Sequence, residues 1–349
     1  MIDKYQEIDL SALYDSGQRL GRLRDVAYLV PGYYSKYSRI FTLKECQEIG
    51  GSKVEGSSAM LGRRITIERS AVRVLVSPND IKDFLDADCQ QYSTYLVTAD
   101  HNAPDFAERF PLAAEYLREC MEATIGYGAK LETILRPNIR EAMDRKKVVL
   151  STAKNICQSM LDAERNVVPT VGAYMCSFPH DAFQNYAAYM AILNSRVFSY
   201  VFYHRMKAKD NEGWNIIEIL ENMPIPYISN DFEVLRNVSE CLLYLMRPDV
   251  PFLFNRMPNA RIAYYLTKIM DMVVYELYFP RYMHERRFEI IPNVYMAPFM
   301  FTMIPMENRI RDTYEWFQRP DNFVRQQMEL LDTRSPELLY KIQTFNPNE

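Results

Sequence analysis

The sequence contains no Cys-x-x-Cys pair; its six cysteines (Cys46, Cys89, Cys120, Cys157, Cys176, Cys241) and four histidines (His101, His180, His204, His284) are scattered. Zinc fingers and ribbons need ligands paired at short spacing, so no structural zinc site is expected. Free thiols, several of them buried, in a reducing cytoplasm are the expected state. No apolar run approaches the ~18 residues of a membrane-spanning helix. The first ten residues hold Asp3, Lys4, Glu7 and Asp9, which breaks any secretory apolar core. A soluble, cytoplasmic chain is the expectation.

Several chemistries are missing too. There is no Gly-x-Gly-x-x-Gly, no phosphate-binding Gly-Lys-Ser/Thr loop, no His-Glu-x-x-His and no Gly-x-Ser-x-Gly. Adenine methyltransferases hold the flipped base with an Asn-Pro-Pro-Tyr-type motif and the methyl donor with a Gly-rich loop. The one Asn-Pro here is Asn346-Pro347, at the chain end. Loose carboxylate–cation nuclease patterns can be drawn through Glu68 with Arg69, or Asp80 with Lys82, but such pairs are common on solvated faces. The sequence therefore favours a binding protein over an enzyme, with no catalytic residue, metal ligand or cofactor site.

What is present is ordinary globular composition, 48% hydrophobic and 25% charged over 349 residues, a length that allows two or three domains. The 25 Tyr and 18 Phe fill a core and can supply a surface that stacks on bases or packs on a partner. The formal net charge of −4 argues against a small, wholly basic nucleic-acid binder. It leaves room for a large protein that concentrates Lys and Arg along one cleft.

Periodicity predicts an α+β fold: a mixed strand and helix domain over 18–228, preceded by an arm at 1–17 and followed by a helical region over 229–349. Strands are expected over 21–30, 40–43, 65–70, 72–76, 92–98, 148–152 and 167–178. A helix is expected over 110–124 and a second helix or a turn over 134–143, and the Gly-rich stretch 50–58 is expected to be a flexible loop. Ser77, Pro78 and Asp80 form a helix-start signature. Tyr186, Met190, Leu193, Val197 and Tyr200 mark one apolar helix face, and Gly213 ends that helix. Met223-Pro224-Ile225-Pro226 must be extended, since each Pro disfavours helix in the residue before it. Beyond residue 228, helices are expected over 231–246 and 262–277, then shorter ones between Pro292, Pro298, Pro305, Pro320 and Pro336.

Basic residues cluster at Arg63, Arg64, Arg69 and Arg73; at Arg136, Arg140, Arg145, Lys146 and Lys147; and at Arg205, Lys207 and Lys209 before Trp214. Lys154 stands alone after a strand. A polar aromatic loop holds Tyr34, Lys36, Tyr37 and Arg39. Phosphate contacts want such cations lining one cleft, and base reading wants a few of them aimed into the major groove. The candidate DNA contacts are Tyr34, Lys36, Tyr37, Arg39, Arg140, Arg145, Lys147, Lys154, Arg205, Lys207 and Lys209. Of these, Lys36, Arg39, Lys154, Lys207 and Lys209 are expected to share one face.

The order of the motifs resembles a known family. Ile192-Leu193-Asn194-Ser195 on a helix, then a basic Gly-containing loop, then Met223-Pro224-Ile225-Pro226 resembles the end of the TaqI-like C-terminal specificity domain. That domain serves adenine-specific DNA methyltransferases and type IIG restriction-modification enzymes. Upstream, Val30-Pro31-Gly32 with Ile40-Phe41, the stretch 76–84, Phe110-Pro111 with Tyr116-Leu117, Lys147–Leu150 and Thr170–Tyr174 follow in the family's order. Val274-Tyr275-Glu276-Leu277-Tyr278-Phe279-Pro280 resembles a helix end that closes many of the large single-chain enzymes. The resemblance covers about residues 20 to 290. It departs at the Tyr-rich loop after Gly32, and at 77–84, which lacks a central Gly and has Asp83 where a basic residue is usual.

The resemblance implies sequence-specific recognition of double-stranded DNA for a methyltransferase or nuclease that acts elsewhere. S-adenosylmethionine and a divalent metal would then be expected only in a catalytic partner or a missing domain, the family's catalytic domain being expected outside this chain as a separate subunit or as part of a longer protein. A protein-interaction or scaffold subunit is the alternative, and a cryptic metal-dependent nuclease the third reading. The 262–277 helix is either a docking element or an internal core helix.

Overall fold

The computed structural model describes residues 20–124, 135–178, 183–209, 215–227 and 229–347, with no side-chain description at 183–185 and 209. The predicted arm at 1–17, Trp214 and the Lys209 side chain lie outside that description. The fold is α+β, and its C-terminal region is helical.

Among the described residues, twelve strands form three sheets. A six-stranded sheet runs in the order β10(Val167–Pro169), β6(Val72–Val76), β7(Tyr95–Val97), β3(Thr42–Ile49), β4(Lys53–Ser58), β5(Arg63–Glu68). A four-stranded antiparallel sheet runs β2(Tyr28–Pro31), β11(Ala173–Ser177), β8(Lys147–Ser151), β9(Gln158–Asp162). The third sheet is the pair β1(Leu20–Arg22) and β12(Pro224–Pro226), so the extended Met-Pro-Ile-Pro stretch closes back on the first described strand.

The four-stranded sheet is the middle layer. Successive side chains on a strand point to opposite faces. Leu29, Val148, Leu150, Leu161, Tyr174 and Cys176 face one core, while Val30, Val149, Met160, Ala173 and Met175 face the other. The second core is shared with the six-stranded sheet and the helices Pro111–Thr124 and Pro137–Met143. The first is shared with helices Phe183–Leu193, Arg196–Lys209, Phe232–Leu245 and Asn259–Tyr278 and the shorter helices after them. That core runs without a break across residue 228, because Phe232–Leu245 packs directly on Phe183–Leu193. The Asn259–Tyr278 helix is mostly buried, so it is an internal core helix.

The apolar face from Tyr186 to Tyr200 is carried by two helices, Phe183–Leu193 and Arg196–Lys209. Asn194 and Ser195 at the break explain why it is there. Asn194 Oδ1 accepts from the Ser159 backbone N–H at 2.6 Å and its Nδ2 donates to the Ser159 carbonyl at 3.1 Å, clamping the helix pair to β9. Ser195 Oγ accepts from the Phe198 N–H at 3.2 Å and so caps the second helix. Residues 40–41 belong to a helical turn, Ser38–Phe41, and the strand starts at Thr42. Ser77 and Asp80 do form the expected capping box, but the helix lasts a single 3-10 turn.

Both carboxylates that could be forced into a nuclease pattern are helix caps. Glu68 accepts the Leu112 and Ala113 N–H groups at 2.8 and 3.0 Å, at the start of Pro111–Thr124. Asp80 accepts the Ser77 N–H at 2.7 Å. All six cysteines are free thiols, five of them buried. Among the described residues no helix is long and apolar enough to cross a membrane, and no group of three or more His, Cys, Asp or Glu is placed to hold a metal ion.

Candidate nucleic-acid interface

Strand register decides which candidate residues meet. In the four-stranded sheet, Pro31 at the end of β2 pairs with Tyr174 of β11, and Ala173 at the start of β11 pairs with Ser151 at the end of β8. Ser151 in turn pairs with Gln158 at the start of β9. Three connections therefore emerge at one end of the sheet: 32–39, 152–157 and 170–172. They are tied together by backbone hydrogen bonds. Gly32 N–H donates to the Ala173 carbonyl at 2.9 Å, Tyr33 N–H to Pro169 at 2.7 Å, and Thr152 N–H to Gly172 at 3.5 Å.

Gly32 is required for this approach. A Cβ there would lie 2.1 Å from the Thr170 carbonyl oxygen. Gly172 adopts φ +89°, which L side chains rarely tolerate. Lys154 and Asn155 take left-handed φ values of 58° and 59° in the turn after β8, so two consecutive non-glycine residues are held in a costly conformation with exposed side chains.

The surface made by these connections carries Tyr34, 78% exposed, with Lys36, Arg39 and Lys154, all exposed. Tyr37 is half-buried, and Lys36 Nζ sits 4.9 Å from its ring centroid. β2 and β8 are separated only by β11, so their ends lie about 10 Å apart. None of the three connections contains an acidic residue. Arg39 and Lys154 form no ion pair with a described residue.

Lys207 is exposed on the last turns of Arg196–Lys209, and its Nζ lies 5.4 Å from the Tyr203 ring centroid. This helix packs against the turn that carries Lys154 and is pinned by Ser199 Oγ, which accepts from the Cys157 N–H at 3.1 Å. Its neighbour His204 is held down to about 4 by burial, with the Lys207 charge adding to the shift, so it is neutral at physiological pH. Arg205 turns inward instead: it is half-buried and donates to the Asn222 carbonyl.

The second basic cluster lies elsewhere. Lys147 starts β8, and its register partner Asp162 ends β9, so both sit at the opposite end of the sheet from Ser151 and Gln158. Lys147, expected on the DNA face, is fully buried. Its Nζ is 2.5 Å from Asp162 Oδ2 and donates to the Met143 carbonyl at 3.0 Å. Burial holds its pKa below the usual lysine value despite the pull of Asp162. An unpaired charge could not remain there, which is why a lysine that reads as part of a surface run serves as a core contact.

Arg140 and Arg145 belong to this opposite end too. Arg140 lies 3.9 Å from Asp100, and Arg145 pairs with Glu141 one helical turn away. The first cluster is neutralised in the same way: Arg63 by Glu119, Arg64 by Glu55, Arg69 by Glu48 and Arg73 by Asp144. Of the cations in these two clusters, only Arg136 and Lys146 form no ion pair with a described residue, so both clusters are largely charge-balanced, whereas the loop end carries Arg39 and Lys154 without an ion-pair partner among the described residues. Asn155, which the sequence reading passed over, shares that surface; its only signal was its place beside Lys154.

No family model matches the sequence, and no curated protein matches it. Among solved structures, the chain is similar to the type IIL restriction-modification enzyme MmeI in complex with DNA. The match has a TM-score of 0.34 and 12% identity, covering 94% of this chain and 37% of that one. The chain thus spans little more than a third of that enzyme's length.

Proposed function

We propose that this chain is a sequence-specific double-stranded DNA recognition module for a restriction-modification adenine methyltransferase or endonuclease, and that catalysis, S-adenosylmethionine and any divalent metal belong to a catalytic subunit or domain outside this chain. The observation that carries the reading is the convergence of three carboxylate-free connections at one sheet end, with Tyr34, Lys36, Arg39, Lys154 and Asn155 exposed on them. In this reading Lys36, Arg39, Lys154 and Lys207 hold phosphates. Tyr34 and Asn155 reach base edges, where an Asn side chain can pair with adenine through two hydrogen bonds. The Lys154–Asn155 strain suits a turn whose side chains must be presented rather than packed.

The test is a salt titration of duplex binding. Each lost phosphate contact lowers the slope of log affinity against log salt by about 0.9. The triple variant Lys36→Ala/Arg39→Ala/Lys154→Ala should therefore flatten the slope by about 3. A slope equal to wild type would remove these residues from the interface. A protein-interaction subunit is the second reading, favoured by the exposed Met296, Phe301 and Met303 on one surface segment. Duplex binding too weak to measure at low salt would favour it.

A further inference from the structure

Away from the loop surface, a cavity of about 330 Å³ opens where the start of Arg196–Lys209 meets three helices of the C-terminal region. One wall is Asn259–Tyr278, which lines it with Tyr264, Lys268, Asp271 and Tyr275 at steps of three and four, a single helix face. Met328, Leu331 and Asp332 from Phe323–Arg334 and Tyr340 from Glu337–Gln343 form the facing wall.

Two polar groups in the lining of this cavity have a hydrogen-bonding atom left unused among the described residues. Asp271 is 6% exposed. Its Oδ1 accepts the Arg196 N–H at 3.1 Å, but Oδ2 has only Arg196 Nε at 3.6 Å, beyond hydrogen-bond range. Tyr275, one turn along, is 1% exposed, and its hydroxyl has no hydrogen-bond partner among the described residues. Neither atom is among the sealed, unsatisfied atoms of the interior; both belong to residues that line the cavity. Polar atoms that line a cavity must be matched by whatever fills it, so an acceptor and a hydroxyl from residues one helical turn apart on the same helix face call for a complementary group.

The rest of the lining narrows its chemistry. The charges cancel: Arg196 stands against Asp271, and Lys268 Nζ lies 2.5 Å from Asp332. A ligand with a net charge gains nothing from such a set. Met272, Met328 and Leu331 offer apolar contact, and Tyr264 and Tyr340 stand half-exposed at the rim, where a flat ring can pack.

We propose that this cavity binds a neutral, flat nitrogen heterocycle that presents an amino group beside a ring nitrogen, the edge carried by adenine and cytosine. The amino group donates to Asp271 Oδ2, and the ring nitrogen accepts the Tyr275 hydroxyl. Burial raises the Asp271 carboxyl to about 7, so the carboxylate that accepts the amino group is the form favoured above neutral pH. The site is separate from the loop surface and does not depend on DNA recognition there.

Ligand-observed NMR on the full chain, with nucleosides at about 1 mM, tests the proposal. Adenosine and cytidine should bind at least about tenfold more tightly than uridine and thymidine, which lack the amino donor beside an acceptor nitrogen. Tyr275→Phe removes one atom and should weaken adenosine about tenfold with little change in melting temperature. Leu331→Trp should block the cavity. A single-stranded adenine oligonucleotide, run beside free adenosine, separates a free base from one presented by a strand: binding of either that Leu331→Trp abolishes supports the site. The proposal is overturned if neither probe binds, if uridine binds as well as adenosine, or if binding survives both Tyr275→Phe and Leu331→Trp.

Discussion

Lys147 offers a sharp division between folding and binding. Its ammonium and the Asp162 carboxylate are both fully buried, 2.5 Å apart. Asp162 also accepts the Asn166 and Val167 N–H groups at 2.8 and 3.1 Å, so it ties the end of β9 to the start of β10. Lys147→Met keeps the stem volume and removes the charge. It leaves a buried carboxylate with two backbone donors and no counter-ion, a change that costs about 3–5 kcal/mol. Against a total stability of roughly 5–15 kcal/mol, that is a large fraction. Adding Asp162→Asn removes the stranded charge while keeping an acceptor, so the double variant should recover about 2 kcal/mol relative to Lys147→Met. Urea denaturation at constant m-value measures both steps. Duplex affinity per folded molecule should stay at the wild-type value. A Lys147→Met chain within about 1 kcal/mol of wild type, or one that keeps its stability and loses salt-dependent DNA binding, would refute the assignment of Lys147 to the core.

Further outcomes follow from the loop end and the cavity. Gly32→Ala places a methyl group 2.1 Å from the Thr170 carbonyl oxygen. It should cost at least about 2 kcal/mol in thermal unfolding, because backbone on both sides must move. Lys154→Gly relieves a φ of 58°. It should stabilise the fold by up to about 1 kcal/mol while weakening duplex binding, a split that an alanine at the same position would not give. Asp271 is raised from 3.8 to about 7, so the folded state holds this proton more tightly than the unfolded chain. Its contribution is favourable below the unfolded value and is lost as pH climbs from about 4 to about 7, on the order of 2–4 kcal/mol. Asp271→Asn should flatten the stability–pH curve over that window, as chemical denaturation at a series of pH values would show.

The elements legible in the sequence are those whose side chains obey a single period. β6 and the Pro111–Thr124 helix lie where alternation and a leading proline place them, and β5 starts and ends two residues before its alternating stretch, because Arg69–Ala71 forms a helical turn. The hairpin of β3 and β4 was hidden because its inward positions are not uniformly apolar. A Cβ on Gly56 would lie 2.4 Å from Cys46 Sγ, so the cysteine fills the space a side chain would take, and buried Ser58 bonds the Tyr116 hydroxyl at 3.0 Å. β9 was hidden likewise: Ser159 is clamped by Asn194 and Asp162 is paired with Lys147, so two of its five residues read as surface yet are buried. The polar aromatic loop after Gly32 could be read locally, because turn residues and exposed Tyr and Lys announce themselves within a few positions. The pairing state of each arginine could not, since Arg63 finds Glu119 and Arg73 finds Asp144 only through the fold.

The most direct test of the recognition role is selection from a pool of random duplex DNA by the full chain at two salt concentrations, with the bound fraction sequenced. The account predicts enrichment of one short asymmetric motif, with affinity that falls as salt rises. Salt-sensitive binding without any enriched motif, or no binding at low salt, would contradict it.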